Sequence, residues 1–159
     1  MTVHQNDIHT KVVSAWEEKN TKALTSEQLV QVFGSAIRAI EQRCLITLSS
    51  ITVKVVVDRV LHESTEKFSI LSKVSIESAG LDFSALLKMG VDEKTEELRK
   101  ALHYLVVELL AVLGNITANI LTVSLHKELM SVTRESALEV SNLHVLQAKK
   151  SVKTNRGES

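Results

Sequence analysis

Two histidines, one isolated carboxylate and one thiol are the residues of this chain with reactive chemistry to offer. His103 lies in KALHYLVVELLAVLG, a run with helical periodicity. An imidazole carried on the outside of a helix can accept a phosphoryl group on a ring nitrogen, so His103 is the candidate phospho-acceptor and His126 a lesser one. Glu108 stands alone among leucines and valines. Burial there would raise its pKa and suit it to proton transfer. Tyr104, one helical turn earlier, offers it a hydrogen bond, so a satisfied or water-facing carboxylate is the simpler expectation.

Metal chemistry finds little support in the spacing. His62 and Glu66 are one turn apart, yet neither the Glu-x-x-His pair of di-iron bundles nor a His-Glu-x-x-His occurs. Cys44 falls at an apolar position and reads as core. The five glycines are scattered, which leaves no phosphate-cradling loop. Asn115-Ile116-Thr117 matches the glycosylation pattern but falls inside what reads as a buried helix. No catalytic residue, no cofactor site and no metal ligand is therefore assigned.

These residues need elements to hold them, and the apolar pattern supplies mostly helix. Residues 1–24 form a polar arm in which Asn6 or Asp7 can cap a short helix and Ile8, Val12 and Trp16 make a narrow stripe. A helical bundle domain is expected over residues 25–148. Thr25 and Gln28 suit a capping box. Beyond it Phe33, Ile37, Ile40, Cys44, Leu48, Ile51 and Val55 recur at threes and fours, a helix face reaching about Lys67. Residues 45–57 are rich in β-branched side chains and alternate as a strand would. Helix is the expectation because no turn signal separates them from their flanks, with Ser49-Ser50 the place for a kink or break.

Ser69 to Gly90 reads as a connection: an extended piece over Lys73–Glu77, a turn at Gly80, and a short helix from Phe83 closed by Gly90. Asp92 or Thr95 can then cap a central helix running from Asp92 to Val132, with Glu93, Glu96 and Glu97 against its positive end. Along it Leu102, Leu105, Leu109, Val112, Ile116, Asn119 and Val123 alternate by three and four, a seam fit for a partner helix. A weaker helix follows over Ser131–Gln147 through Leu138, Leu143 and Leu146. Residues 149–159 are a polar, mildly basic tail or linker.

With no proline in 159 residues, nothing forbids long helices. Nineteen basic and nineteen acidic side chains cancel and aromatics are 3%, so neither a field nor stacking platforms favour nucleic acid. The uncharged run Leu109–Leu125 approaches membrane-spanning length, but Asn115, Thr117, Asn119, Thr122 and Ser124 within it argue for burial in protein. One cysteine and no secretion signal fit the cytoplasm.

A straight helix of about 40 residues would be about 60 Å long, against a diameter of roughly 40 Å for a compact domain of this size. It could not hide inside one globule. The expected architecture is accordingly all-α: a long antiparallel helical hairpin with short flanking helices, completed as a four-helix bundle by a second copy across a two-fold axis. The alternative is a helix that breaks near Gly114 and folds back. In outline the hairpin resembles the dimerisation hairpin of two-component signalling. Around His103 the phosphotransfer pattern would place Lys and Gly where Val106 and Val107 stand, and the kinase motif would place an acid where Tyr104 stands. The functional expectation is a non-enzymatic, homodimeric regulatory module, an input or adaptor domain of bacterial signalling that binds another signalling protein or a small apolar ligand. Histidine phosphotransfer through His103 and a membrane-associated helix pair are the alternatives.

Overall fold

The computed structural model describes residues 2–77, 80–88 and 94–139, with side chains from Asp7 onward. Helix α1 (Thr2–Asn20) is more than an arm. It buries His9, Val13, Trp16 and Asn20, one face at spacings of four, three and four, and leaves Ile8 outside the expected stripe as an exposed residue. Trp16 anchors this face. Its ring meets Phe33 edge-on at 5.2 Å, and its Nε1 donates to the Val132 carbonyl at 2.8 Å. Asn20 is buried because it is satisfied: it donates to the Trp16 carbonyl and accepts from the Arg134 amide.

Helix α2 (Ser26–Cys44) starts at the expected capping box, with Thr25 accepting from the Gln28 amide and the Gln28 side chain accepting from the Thr25 amide. The helix expected to run on to Lys67 is in fact two. A turn over residues 45–48 closes α2, and Ser49 caps α3 (Ser50–Lys67) by accepting from the Thr52 amide. The serine doublet offers a capping hydroxyl just where the chain must turn, and an N-cap can replace a ladder bond. From Ser50 onward the β-branched stretch is helix, not strand.

A short 3-10 turn (Ser69–Lys73) leads into β1 (Ser75–Glu77) and β2 (Gly80–Asp82), an antiparallel pair in the register Ser75↔Asp82, Ile76↔Leu81, Glu77↔Gly80. Gly80 has φ +121°, a conformation that side chains resist. Helix α4 (Ser84–Lys88) follows. The expected extended piece and helical turn are thus present, Gly80 opens β2 rather than forming the turn, and residues 78–79, Gly90 and Asp92 lie outside the described residues.

Helix α5 (Thr95–Ile116) is the central element and packs against α1, α2 and α3. Its N-cap is Lys94, without a side-chain cap bond. Thr95 is not the cap; its hydroxyl pairs with Ser26 Oγ at 2.9 Å and so ties the starts of α5 and α2 together. The expected single helix to Val132 is overturned. After Ile116 the chain turns through Ala118 (φ 50°) and Asn119 (φ 64°), both left-handed, and α6 (Thr122–Ser131) folds back onto α2. The Asn119 amide donates to the Gly114 carbonyl at 2.7 Å, an αL closure of the helix end. Gly114 itself stays helical. Its role is to be small: a Cβ there would stand 3.0 Å from Thr122 Oγ1 and 3.2 Å from Asn119 Oδ1. Residues 134–139 are helical again, with Thr133 accepting from the Ser136 amide, while Leu143 and Leu146 lie outside the described residues.

The fold is therefore mainly helical, as expected, but its longest described helix is 22 residues, about 33 Å. That fits inside one globule, and the length argument for a second copy falls away. Leu102, Leu105 and Leu109 of the expected seam are buried within the single chain, Val112 is half-buried, and Ile116, Asn119 and Val123 are exposed. Among the described residues no helix is long and apolar enough to cross a membrane.

Candidate functional site

Helix directions decide what gathers where. Helix α1 runs antiparallel to α5, since Glu17 meets His103 and Thr21 meets Arg99, whereas His9 lies beside Gly114. Helix α3 is also antiparallel to α5: Phe68 packs on Tyr104 at 5.6 Å between ring centroids, and Lys67 Nζ sits 4.4 Å from the Tyr104 ring centre. Arg43, near the end of α2, donates to Ser124 at the start of α6. The α2–α3 turn, the first turns of α3, the last turn of α5 and the α5–α6 turn consequently share one end of the bundle.

That end is apolar and uncovered. Leu45, Ile46, Ile51, Val55, Ile116 and Ile120 are all exposed on these segments, with Ile46, Ile51 and Ile120 at 77%, 74% and 78%, while exposed Val123 lines a cavity with Lys11, Val12 and Met130 between α1 and α6. Ile116 belongs to the expected seam and Ile120 to the helix expected to carry it; the other four come from the end of α2 and the start of α3. Asn115 is exposed here too, so the glycosylation-like triplet does not sit in a buried helix.

His103 lies between α1 and α5 with 28% of its side chain exposed, and its Nδ1 is 2.5 Å from Glu17 Oε1. Next to it Arg99 donates to Thr21 Oγ1 at 2.6 Å and pairs with Glu96 at 3.4 Å. The two Val residues that stand where the phosphotransfer pattern wants Lys and Gly are buried. This cluster fastens α1 to α5.

His126 is paired with a residue that sequence reasoning passes over. His9 Nδ1 and His126 Nε2 are 2.8 Å apart with the rings nearly perpendicular. Burial, and then the neighbouring His126, lowers the His9 pKa to about 4, and burial lowers that of His126. Two neutral imidazoles can share one proton in such a bond, one ring donating and the other accepting, and protonating the accepting ring removes the bond. The signal for His9 in the sequence is its place four residues before Val13, on the face that carries Trp16.

Glu108 is half-buried on the side of α5 that faces α3. Burial, then the Glu63 carboxylate, raises its pKa, with Lys67 opposing. Burial and Glu108 in turn raise the Tyr104 hydroxyl. The two are coupled by charge rather than by the hydrogen bond expected between them. Cys44 is buried in the core, and burial pushes its thiol up to about 11, the state of an inert packing residue. His62 and Glu66 form an exposed pair at 3.6 Å. Among the described residues no group of three or more His, Cys, Asp or Glu side chains is placed to hold a metal ion.

A groove runs along α2 beside the β-hairpin, bounded by α4 and Ala137 on one side and by α3 on the other. Its two cavities, of about 300 and 770 Å³, have Arg38, Glu41 and Gly80 in common. Glu41 is the polar centre: burial raises its pKa, with Arg38 opposing, and its Oε1 is enclosed without a hydrogen-bond partner among the described residues. Nothing in the sequence marks Glu41, because the groove exists only once the hairpin has come to rest beside α2.

No family model matches the chain, and no curated protein or solved structure does either.

Proposed function

We propose that this chain is a non-catalytic helical interaction module whose copies pair through the apolar end of the bundle. The observation that carries the reading is the six exposed aliphatic side chains on the four segments at that end. The chain has no net charge, so two copies approach without global repulsion, and an isologous contact would cover the same patch on both. The pairing surface differs from the α5 seam that periodicity suggests, since half of that seam is already buried in one chain. An input or adaptor role in bacterial signalling extends the reading by architectural analogy alone.

Sedimentation across a wide concentration range tests it. Wild type should shift from monomer to dimer, and Ile46→Glu combined with Ile120→Glu should stay monomeric with an unchanged helical spectrum. A wild-type monomer at every concentration ends the proposal, as does a dimer that ignores both substitutions.

A second reading, histidine phosphotransfer, draws on one observation: Glu17 engages Nδ1 of His103 and leaves Nε2 as the acceptor nitrogen. Incubation with a phosphorylated response regulator should then label wild type but not His103→Gln. An unlabelled wild type removes this reading.

A further inference from the structure

We infer that the cavity between α1 and α6 is a binding site for a small amphipathic carboxylate, its head group held by Lys11 and Lys127 and its alkyl chain laid over Val12, Val123 and Met130.

Two helices running the same way make the site. His9 meets His126 and Trp16 meets Val132, so α1 and α6 lie side by side in parallel. The hollow between them is about 450 Å³, in the range of small-molecule sites. Its apolar walls are wet: Val123 is 63% exposed, Met130 41%, and Val12 is half-buried. Single exposed aliphatic side chains are ordinary on a surface. These three border one concavity, where an alkyl chain would take them out of water together.

The charge of the lining selects the head group. Its ionisable side chains are Lys11, Lys127 and His126. Burial lowers the His126 pKa, which leaves that ring neutral at pH 7. Among the described residues no carboxylate lines this cavity, whereas Glu41 stands with Arg38 in both hollows of the α2 groove. Lys11 follows His9 by two residues and Lys127 follows His126 by one, so the helical rise sets them on opposite banks at similar height. Like charges so placed repel, and an anion between them turns repulsion into attraction. Asp7 is a weak competitor for Lys11, since the pair is 3.5 Å apart with both side chains more than half exposed. Both ammonium groups are open to solvent, and their long stems let them reach a ligand without leaving water. A carboxylate has one oxygen to accept from each. The site differs from the expected one, an apolar ligand held between the long helices, in both place and polarity.

Calorimetric titration of the full chain with hexanoate tests the assignment, with n-hexanol, n-hexylammonium and acetate as controls. Hexanoate should bind saturably, and all three controls more weakly by at least about tenfold, the worth of a charge-assisted bond or of the buried chain. Lys11→Gln combined with Lys127→Gln should bring hexanoate down to the level of hexanol. Lys19→Gln combined with Lys22→Gln removes the same charge outside the cavity and should leave the affinity unchanged. Ala15→Trp, at an exposed position of the lining, should fill the cavity with both lysines intact. All five positions are exposed, so each variant should keep the wild-type melt. Binding should survive in Ile120→Glu, which breaks the proposed pairing surface but not this cavity, so the two ideas fail separately. The inference is overturned by the absence of saturable hexanoate binding, by a control that binds as tightly, or by full affinity in the Lys11 and Lys127 double variant or in Ala15→Trp. An equal loss in the Lys19 and Lys22 double variant overturns it too.

Discussion

Acidification should unfasten α1 from α6, and the His9–His126 bond sets how much stability goes with it. His9 has its pKa lowered from 6.5 to about 4 in the fold. The folded state therefore holds the neutral ring while the unfolded chain takes up a proton below pH 6.5. The stability His9 contributes is complete above its unfolded pKa, falls with pH through the interval between the two values, and is gone below the folded one. Between pH 7 and pH 5 the loss from His9 alone is about 2 kcal/mol, a large share of the roughly 5–15 kcal/mol available to a domain. His126, also lowered, acts in the same direction. The raised carboxyls Glu41 and Glu108 act in the opposite one, because protonation relieves them. Urea unfolding at pH 7, 6 and 5, by tryptophan fluorescence and far-ultraviolet dichroism, reads the slope, with Trp16 one turn or two from the pair. In His9→Phe the slope over this interval should shrink to the contribution of His126. A wild-type midpoint that does not move between pH 7 and 5, or an equal slope in His9→Phe, refutes the account.

Other substitutions probe the elements singly, each read by urea or thermal unfolding. Trp16→Ala should cost about 3–5 kcal/mol, since it opens a cavity and strands the Val132 carbonyl; a cost under one kcal/mol would mean that α1 is not part of the core. Gly114→Val should destabilise by about 1–3 kcal/mol by overpacking against Thr122 and Asn119, and no change would show that α6 does not lie where described. Ala118→Gly should stabilise by about 0.5–1 kcal/mol, because φ of 50° strains a Cβ more than glycine adds entropy to the unfolded chain. A loss there would place Ala118 outside the left-handed region.

Legibility in the sequence followed the reach of the interactions. The Thr25–Gln28 box and the short helix at Ser84 depend on neighbours within a few residues, and each is readable from residue type alone, whereas the Ser49-Ser50 doublet reads only as a place for a kink or break in a longer helix. The break after Ile116 is not. Neither glycine nor proline occupies the turn, and Ala118 has no preference for the left-handed region it adopts. What holds it there is the packing of α6 on α2, together with Asn119, whose amide closes onto Gly114. Asparagine tolerates that conformation, so Asn119 in an apolar run is a signal, and it marks the turn rather than a position of the expected seam. The same distance dependence hid the candidate sites. His9 and Asn20 look like surface residues until partners more than a hundred positions away satisfy them. Glu41 looks like one more helix-surface charge until the hairpin covers it.

The bond from Trp16 to Val132 spans 116 positions, and that from His9 to His126 spans 117. A ribosome delivers α1 long before either acceptor exists. For most of translation the indole and its apolar face must wait, wet or in borrowed company, until the far end of the chain emerges to close the ring. Long loops closed this late fold slowly and leave oily surface open to strangers. Nascent chains stalled anywhere between Ile116 and Val132 would be the natural clients of a holding chaperone.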